Sequence, residues 1–205
     1  MLTVKLLWHS PEPEYNCALA MRRCYSALPV EKLEVELKEK GPDYIKYLLN
    51  RVKEDKSFDI YEHALFSFEI SGISRALSHQ LVRHRMASYD QESQRFAPSP
   101  VEYITPPSIK GTIWEAEYNS VVQRCWQLYK DMIEHGKLPK QDARYILPNA
   151  AETKLIMTLN ARSLMHFLYM RTAAGAQWEI KDLANKLHEI VKPICPNIFL
   201  EIIQC

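Results

Sequence analysis

The chain has 205 residues, 47% of them hydrophobic and 25% charged, the proportions of a globular protein able to bury a real core as one domain or two tightly joined lobes. Lys plus Arg number 26 against 25 for Asp plus Glu, and so even a balance argues against a protein built to grip a nucleic-acid backbone. No stretch approaches the ~18 uninterrupted apolar residues of a membrane span and no signal-peptide core is visible; Cys17, Cys24, Cys125, Cys195 and Cys205 are odd in number and lack Cys-x-x-Cys spacing, so reduced thiols in the cytoplasm are expected.

Leu2, Val4, Leu6 and Trp8 alternate with other residues and predict an opening strand. Pro11 and Pro13 end it, and Pro13 is placed to start a helix running to about Cys24. Pro42 marks a second helix start, followed at helical spacing by Tyr44, Tyr47, Leu48 and Val52. Residues 64–70 read as a strand with Phe66, Phe68 and Ile70 on one face. Ile73, Leu77 and Leu81 stand four apart and place residues 71–82 on a helix. Residues 96–111, with Pro98, Pro100, Pro106 and Pro107, read as a surface connection. Trp114, Tyr118, Val121, Cys125, Leu128 and Met132 mark a long amphipathic helix. Residues 150–159 fit either strand or helix. Residues 162–171 and 176–194 read as helices, the second striped by Leu183, Leu187 and Ile190 and closed by Pro193 and Pro196. The pattern is α/β or α+β with helix predominating, without repeats or a clean linker.

The densest polar stretch is Arg83-His84-Arg85-Met86-Ala87-Ser88-Tyr89-Asp90-Gln91-Glu92-Ser93-Gln94-Arg95. Arginine offers a planar fork of donors suited to phosphates and carboxylates, and three close together repel one another unless an anion intervenes. In an extended loop Ser93 and Arg95 project from one side. A hydroxyl, a guanidinium and backbone N–H groups there suit a phosphate monoester. On composition alone, a solvated basic face paired locally with Asp90 and Glu92 is the favoured reading.

Arg-His-Arg, seven residues, then Ser, here Arg83 to Ser93 with Arg95 beyond, resembles the signature of flavin-dependent thymidylate synthases. Other segments agree in order: Arg22-Arg23-Cys24-Tyr25-Ser26, Glu62-His63 before Phe66-Ser67-Phe68, Ala143-Arg144-Tyr145-Ile146-Leu147-Pro148, Asn160-Ala161-Arg162-Ser163-Leu164, and Arg171 followed by Ala176-Gln177-Trp178-Glu179-Ile180. The resemblance spans nearly the whole chain. It implies that family's fold over residues 1–205 as a single domain, with a central, mostly antiparallel sheet flanked by helices. Two places depart from the family. Lys56-Ser57-Phe58-Asp59 stands where a Gly-His-x-Ser-like run is usual, and Gln91 stands where glutamate is common.

The same resemblance implies residue roles. Arg83, His84, Arg85, Gln91, Asn160, Arg162 and His166 would contact FAD. The substrate deoxyuridine monophosphate (dUMP) would meet Gln80, Leu81, Val82 and Arg83, then Gln91, Glu92, Ser93, Gln94 and Arg95, and finally Arg144 and Arg171. Ser93 and Arg95 would grip its phosphate, and Arg144 would reach it from another subunit. Arg171, beside the uracil, would stabilise negative charge growing on the base, the logic of a preorganised electrostatic site. The implied reaction is reductive methylation of dUMP to thymidylate, with methylenetetrahydrofolate as one-carbon donor and FAD reduced by NADPH. A homotetramer with shared active sites is expected, with no nucleic-acid partner and no membrane. No protein nucleophile is required, and no Pro-Cys-His context is present.

Other readings compete. His79 and His84 stand five apart, wrong for a helical i, i+4 metal pair, and no cysteine pair assists them, so no metal is expected. Trp126, Tyr129 and the Trp178-Glu179-Ile180 stretch read as helix core. Arg162 and Arg171, nine apart, fall about 180° apart around a helix and cannot share one small group. A nucleic-acid-binding module using the arginine cluster predicts salt-sensitive polyanion affinity and no chromophore. A family member that binds flavin or nucleotide without synthase turnover is the remaining alternative.

Overall fold

The computed structural model describes residues 1–96 and 102–204; Pro98, Pro100 and Cys205, named above, lie outside the described residues. In chain order the elements are β1 (Thr3–His9), α1 (Pro13–Cys24), α2 (Val30–Glu54), a 3-10 turn (Phe58–His63), β2 (Leu65–Ser74) and α3 (Arg75–Leu81). Then come β3 (Ala87–Gln91), α4 (Glu115–Glu134), α5 (Lys140–Ala143), a 3-10 turn (Arg144–Ile146), β4 (Glu152–Asn160), α6 (Ala161–Thr172), α7 (Trp178–Val191) and α8 (Pro196–Phe199). The four strands form an antiparallel sheet in the order β1-β2-β4-β3. No helix among the described residues is long and apolar enough to cross a membrane.

The chain forms two compact units. One comprises Val4–Glu69, His84–Tyr89 and Met157–Cys205. Within it Pro13 stands in the first turn of α1, where its missing N–H costs nothing. Cys17 and Ala18 of α1 and Leu33, Leu37, Leu49 and Val52 of α2 are fully buried. Gly41, at φ 71°, breaks α2, so Pro42 does begin a helical segment, but the turns before Gly41 are helical too. Phe66 stacks with Phe68 at 6.2 Å and receives the edge of Phe199 at 6.0 Å. Leu164, Phe167 and Leu168 of α6 and Ile180, Leu183 and Leu187 of α7 are also buried. Burial, with Glu14 nearby, pushes the Cys17 thiol up to about 12, leaving it a packing residue. Among the described residues Cys17, Cys24, Cys125 and Cys195 are all free.

The other unit comprises Met1–Thr3, Ile70–Arg83 and Asp90–Ile156. Gly72 has φ 68°, and the Met1 backbone lies where a β-carbon would stand, so only glycine fits. Ser74 caps α3 by accepting from the Leu77 N–H at 3.0 Å, a device that contributes about 1 kcal/mol. Val122, Trp126 and Tyr129 of α4 pack with Ala143 and Ala151 into a core, and the Trp126 and Tyr129 rings meet edge to face at 5.7 Å.

Several sequence expectations change. Residues 71–74, assigned to a helix, continue β2, because Ile73 is a buried strand residue and the helix begins only after the Ser74 cap. Residues 87–91 form strand β3 within the arginine-rich stretch, and residues 152–160 resolve as strand β4. Trp178 is 39% exposed, so of its stretch only Glu179 and Ile180 are core. The α4 stripe is only partly on the core side: Tyr118 and Met132 pack against the core, Trp114, Val121 and Leu128 are exposed, and the fully buried residues are Val122, Trp126 and Tyr129.

Candidate active site residues

In the unit that holds α6, the turn before β3 carries His84 and the last turn of α6 carries Arg171. The Arg171 Nε–H donates to His84 Nε2 at 2.9 Å. A guanidinium has no acceptor, so His84 is neutral, with its ring proton on Nδ1. The edge of the imidazole meets Phe167 at 4.9 Å and His166 at 6.4 Å. Burial first, then the Arg171 charge and His166, push the His84 pKa down to about 4. Its backbone carbonyl accepts from the Tyr89 hydroxyl at 3.0 Å, and burial holds that phenol up at about 12. A positive charge at Arg171, without an ion pair among the described residues, is the chemical capacity of this cluster.

The same unit holds three more predicted residues. Arg162 Nη1 donates to Glu62 Oε1 at 2.6 Å. Asn160 spends its side-chain oxygen on the α6 cap, accepting from Ser163 N–H at 2.8 Å, so its amide nitrogen is the part turned to other use. Arg85 and His166 are exposed. Arg162 pairs with Glu62 while Arg171 pairs with His84, as their opposed positions on the helix require.

In the unit that holds α4, residues 91–95 do not form an extended loop. After β3 they enter a turn in which Ser93 Oγ accepts from Arg95 N–H at 3.2 Å and the Ser93 carbonyl accepts from Phe96 N–H at 3.2 Å. The Arg95 guanidinium lies over the Phe96 ring at 5.1 Å. Gln91 donates to Thr153 Oγ1 at 3.1 Å, and Glu92 pairs with Lys154 at 3.4 Å. Arg144 donates from Nε to the Gln141 carbonyl at 3.1 Å. Gln80 and Gln94 are half-buried, and Arg83 and Val82 exposed. Leu81 is fully buried, so its backbone is the part placed to meet a ligand.

Sequence reasoning missed Arg75 here. One of its terminal nitrogens donates to the Glu92 carbonyl at 2.8 Å, and its Nε is buried without a partner among the described residues. Burial lowers its pKa; Glu92 opposes the shift and the Arg144 charge adds to it. An orphaned guanidinium donor beside a second arginine is what an anion satisfies. No spacing rule signals it, because Arg75 follows a capping serine and reads as a first-turn surface residue. Glu62 had a signal, its place in the Glu62-His63 pair, but no role. Among the described residues no group of His, Cys, Asp and Glu could hold a metal ion.

Residues 5–197 match the family model described as thymidylate synthase complementing protein. The chain is 41% identical over 202 residues to the flavin-dependent thymidylate synthase of Geobacter sulfurreducens, covering 97% of this chain and 85% of that protein. It is 40% identical over 215 residues to the flavin-dependent thymidylate synthase of Clostridium tetani, covering 96% and 84%. Its fold is like that of thymidylate synthase X from Helicobacter pylori, a crystal structure with FAD and dUMP, with a TM-score of 0.77, 23% identity and 97% of each chain covered.

Proposed function

Because the chain belongs to the flavin-dependent thymidylate synthase family, we propose that it converts dUMP to thymidylate by reductive methylation, as an FAD-dependent methyltransferase. The observation that carries this reading is the 41% identity, spread over 97% of the chain, with the Geobacter enzyme. The match over residues 5–197 supports treating the chain as one synthase domain.

The donor set suits a flavin dinucleotide. The Arg162 guanidinium, exposed Arg85 and His166 and the Asn160 amide offer cations and donors to a pyrophosphate and to ring heteroatoms. FAD, when bound, supplies the redox chemistry. Arg83, His84 and Gln91 complete that set. Arg171 holds its positive charge against the uracil and stabilises the negative charge that grows on the base. His84 orients it: a neutral imidazole accepting from Nε fixes the guanidinium plane. The dUMP phosphate is held by Ser93 and Arg95, with Arg75 and Arg144 as further guanidiniums. Gln80, the backbone of Leu81 and Val82, and Glu92 and Gln94 line the nucleotide. NADPH would supply the reducing equivalents and methylenetetrahydrofolate the one-carbon unit, and the working form is a cytoplasmic homotetramer to which Arg144 contributes across subunits.

The test is a single turnover without oxygen. Protein reduced with NADPH is mixed with dUMP and methylenetetrahydrofolate, and the nucleotide is analysed. Thymidylate formed in proportion to reduced flavin is expected. Flavin reoxidation without thymidylate would favour a binding protein without synthase turnover.

A further inference from the structure

After the Gly41 break, the second half of α2 turns Tyr44, Tyr47, Leu48, Arg51 and Asp55 to one side, at helical spacing. That face and the last turns of α1 enclose a cavity of about 430 Å³, within the range of roughly 300–1,000 Å³ usual for small-molecule sites. None of the residues lining it belongs to the donor sets assigned above to FAD or dUMP. Met21 of α1 and Leu48, 7% and 5% exposed, give it an apolar floor. Phenol rings stand around that floor. Tyr44 and Tyr47 lie nearly parallel, 13° between their planes with centroids 6.1 Å apart, and Tyr25 lines the cavity from the C-terminal end of α1. Tyr25 is 65% exposed and Tyr47 56%. Rings left this open beside an apolar floor make a stacking platform for a flat heterocycle.

The charges at the two ends of the cavity differ in sign. At the Tyr44 end, Glu36 Oε2 accepts from Arg22 Nε at 3.3 Å and from one Arg22 terminal nitrogen at 3.0 Å. Its other oxygen accepts from Lys40 at 2.6 Å and from the Tyr44 hydroxyl at 3.2 Å. Two cations share one carboxylate, so this end is left with positive charge. The second terminal nitrogen of Arg22, unspent among the described residues, is a donor for an anion. At the Asp55 end, Arg51 donates to Glu54 at 3.2 Å and to both Asp55 oxygens at 3.1 Å. One cation there shares two carboxylates, so the surplus is negative, and Asp55 keeps lone pairs for an N–H donor. A ligand that satisfies both ends has a flat ring with an amino group at one end and an anion at the other. An aminopurine nucleotide has that form.

We propose that this cavity is a second nucleotide site, filled independently of FAD and dUMP. It takes an aminopurine monophosphate, with the base on Tyr25 and Tyr47, the exocyclic amine on Asp55 and the phosphate on Arg22. The site stands whether or not the chain turns over dUMP.

The test is calorimetric titration of the full chain with adenosine monophosphate and with guanosine monophosphate, each with FAD and dUMP in excess. Saturable binding of at least one is expected, at least tenfold tighter than that of inosine monophosphate, which lacks the amine. Tyr47→Ala and Arg22→Met should each weaken that binding at least tenfold. Asp55→Asn should level the preference over inosine monophosphate, and thermal melts check that each variant folds. No binding of either nucleotide beside FAD and dUMP, equal binding of inosine monophosphate, or folded variants that bind like the parent would each overturn the proposal.

Discussion

Arg171 donates its Nε–H to Nε2 of His84 at 2.9 Å, which ties the charge state of one residue to the orientation of the other. Protonating His84 removes the acceptor and sets two cations against each other. The His84 pKa is lowered from 6.5 to about 4, so the unfolded chain takes up the proton first as pH falls. Stability from this group is complete above pH 6.5 and is lost progressively as pH falls to about 4. Urea melts of the parent and of His84→Gln across that window should differ in slope, with the parent steeper. Parallel slopes would mean that the imidazole is not held neutral.

Arg171→Ala should cut turnover by about a hundredfold or more, the scale of losing one preorganised electrostatic contact, while FAD content stays near that of the parent. His84→Gln keeps an acceptor and should retain more activity than His84→Ala. The readouts are kcat with saturating dUMP and flavin per chain. Equal losses of flavin and turnover in Arg171→Ala would remove Arg171 from the uracil.

Arg162 and Glu62 form an exposed pair at 2.6 Å, side chains 38% and 42% accessible. Such pairs contribute about 0–1 kcal/mol to stability. Arg162→Ala should therefore shift the melting temperature little while weakening FAD binding tenfold or more. A large fall in melting temperature with unchanged FAD affinity would make the pair structural.

On the phosphate side, Ser93→Ala should weaken dUMP binding about tenfold, and Arg75→Met by more, since hydrogen bonds to charged groups are worth about 1.5–3 kcal/mol. Arg75→Lys should recover only part, because it restores charge without the fork of donors. Calorimetric titration of FAD-loaded protein with dUMP and with deoxyuridine separates the contributions. Variants that lose affinity equally for both would place the phosphate elsewhere.

The sequence made some features legible and hid others for physical reasons. Proline positions revealed the starts of α1 and of the second half of α2 because their fixed φ is a local property. Residues 71–74 misled because Ile73, Leu77 and Leu81 keep helical spacing although a capping serine divides strand from helix between the first two. In α4 both faces are apolar, so periodicity found the helix but only part of its buried side. Candidate site residues in the Arg83–Arg95 motif are named through the family resemblance that the motif carries. Arg75 could not be named so, because what singles it out is a buried Nε and the nearness of Glu92 and Arg144, which only folding creates.

The most direct test of the central claim is a visible absorbance spectrum of the purified protein, before and after adding FAD, followed by titration with dUMP. A bound flavin band that shifts saturably with dUMP, and not with uridine monophosphate, is the predicted result. Failure to take up FAD, or a flavin band indifferent to dUMP at every concentration, would contradict it.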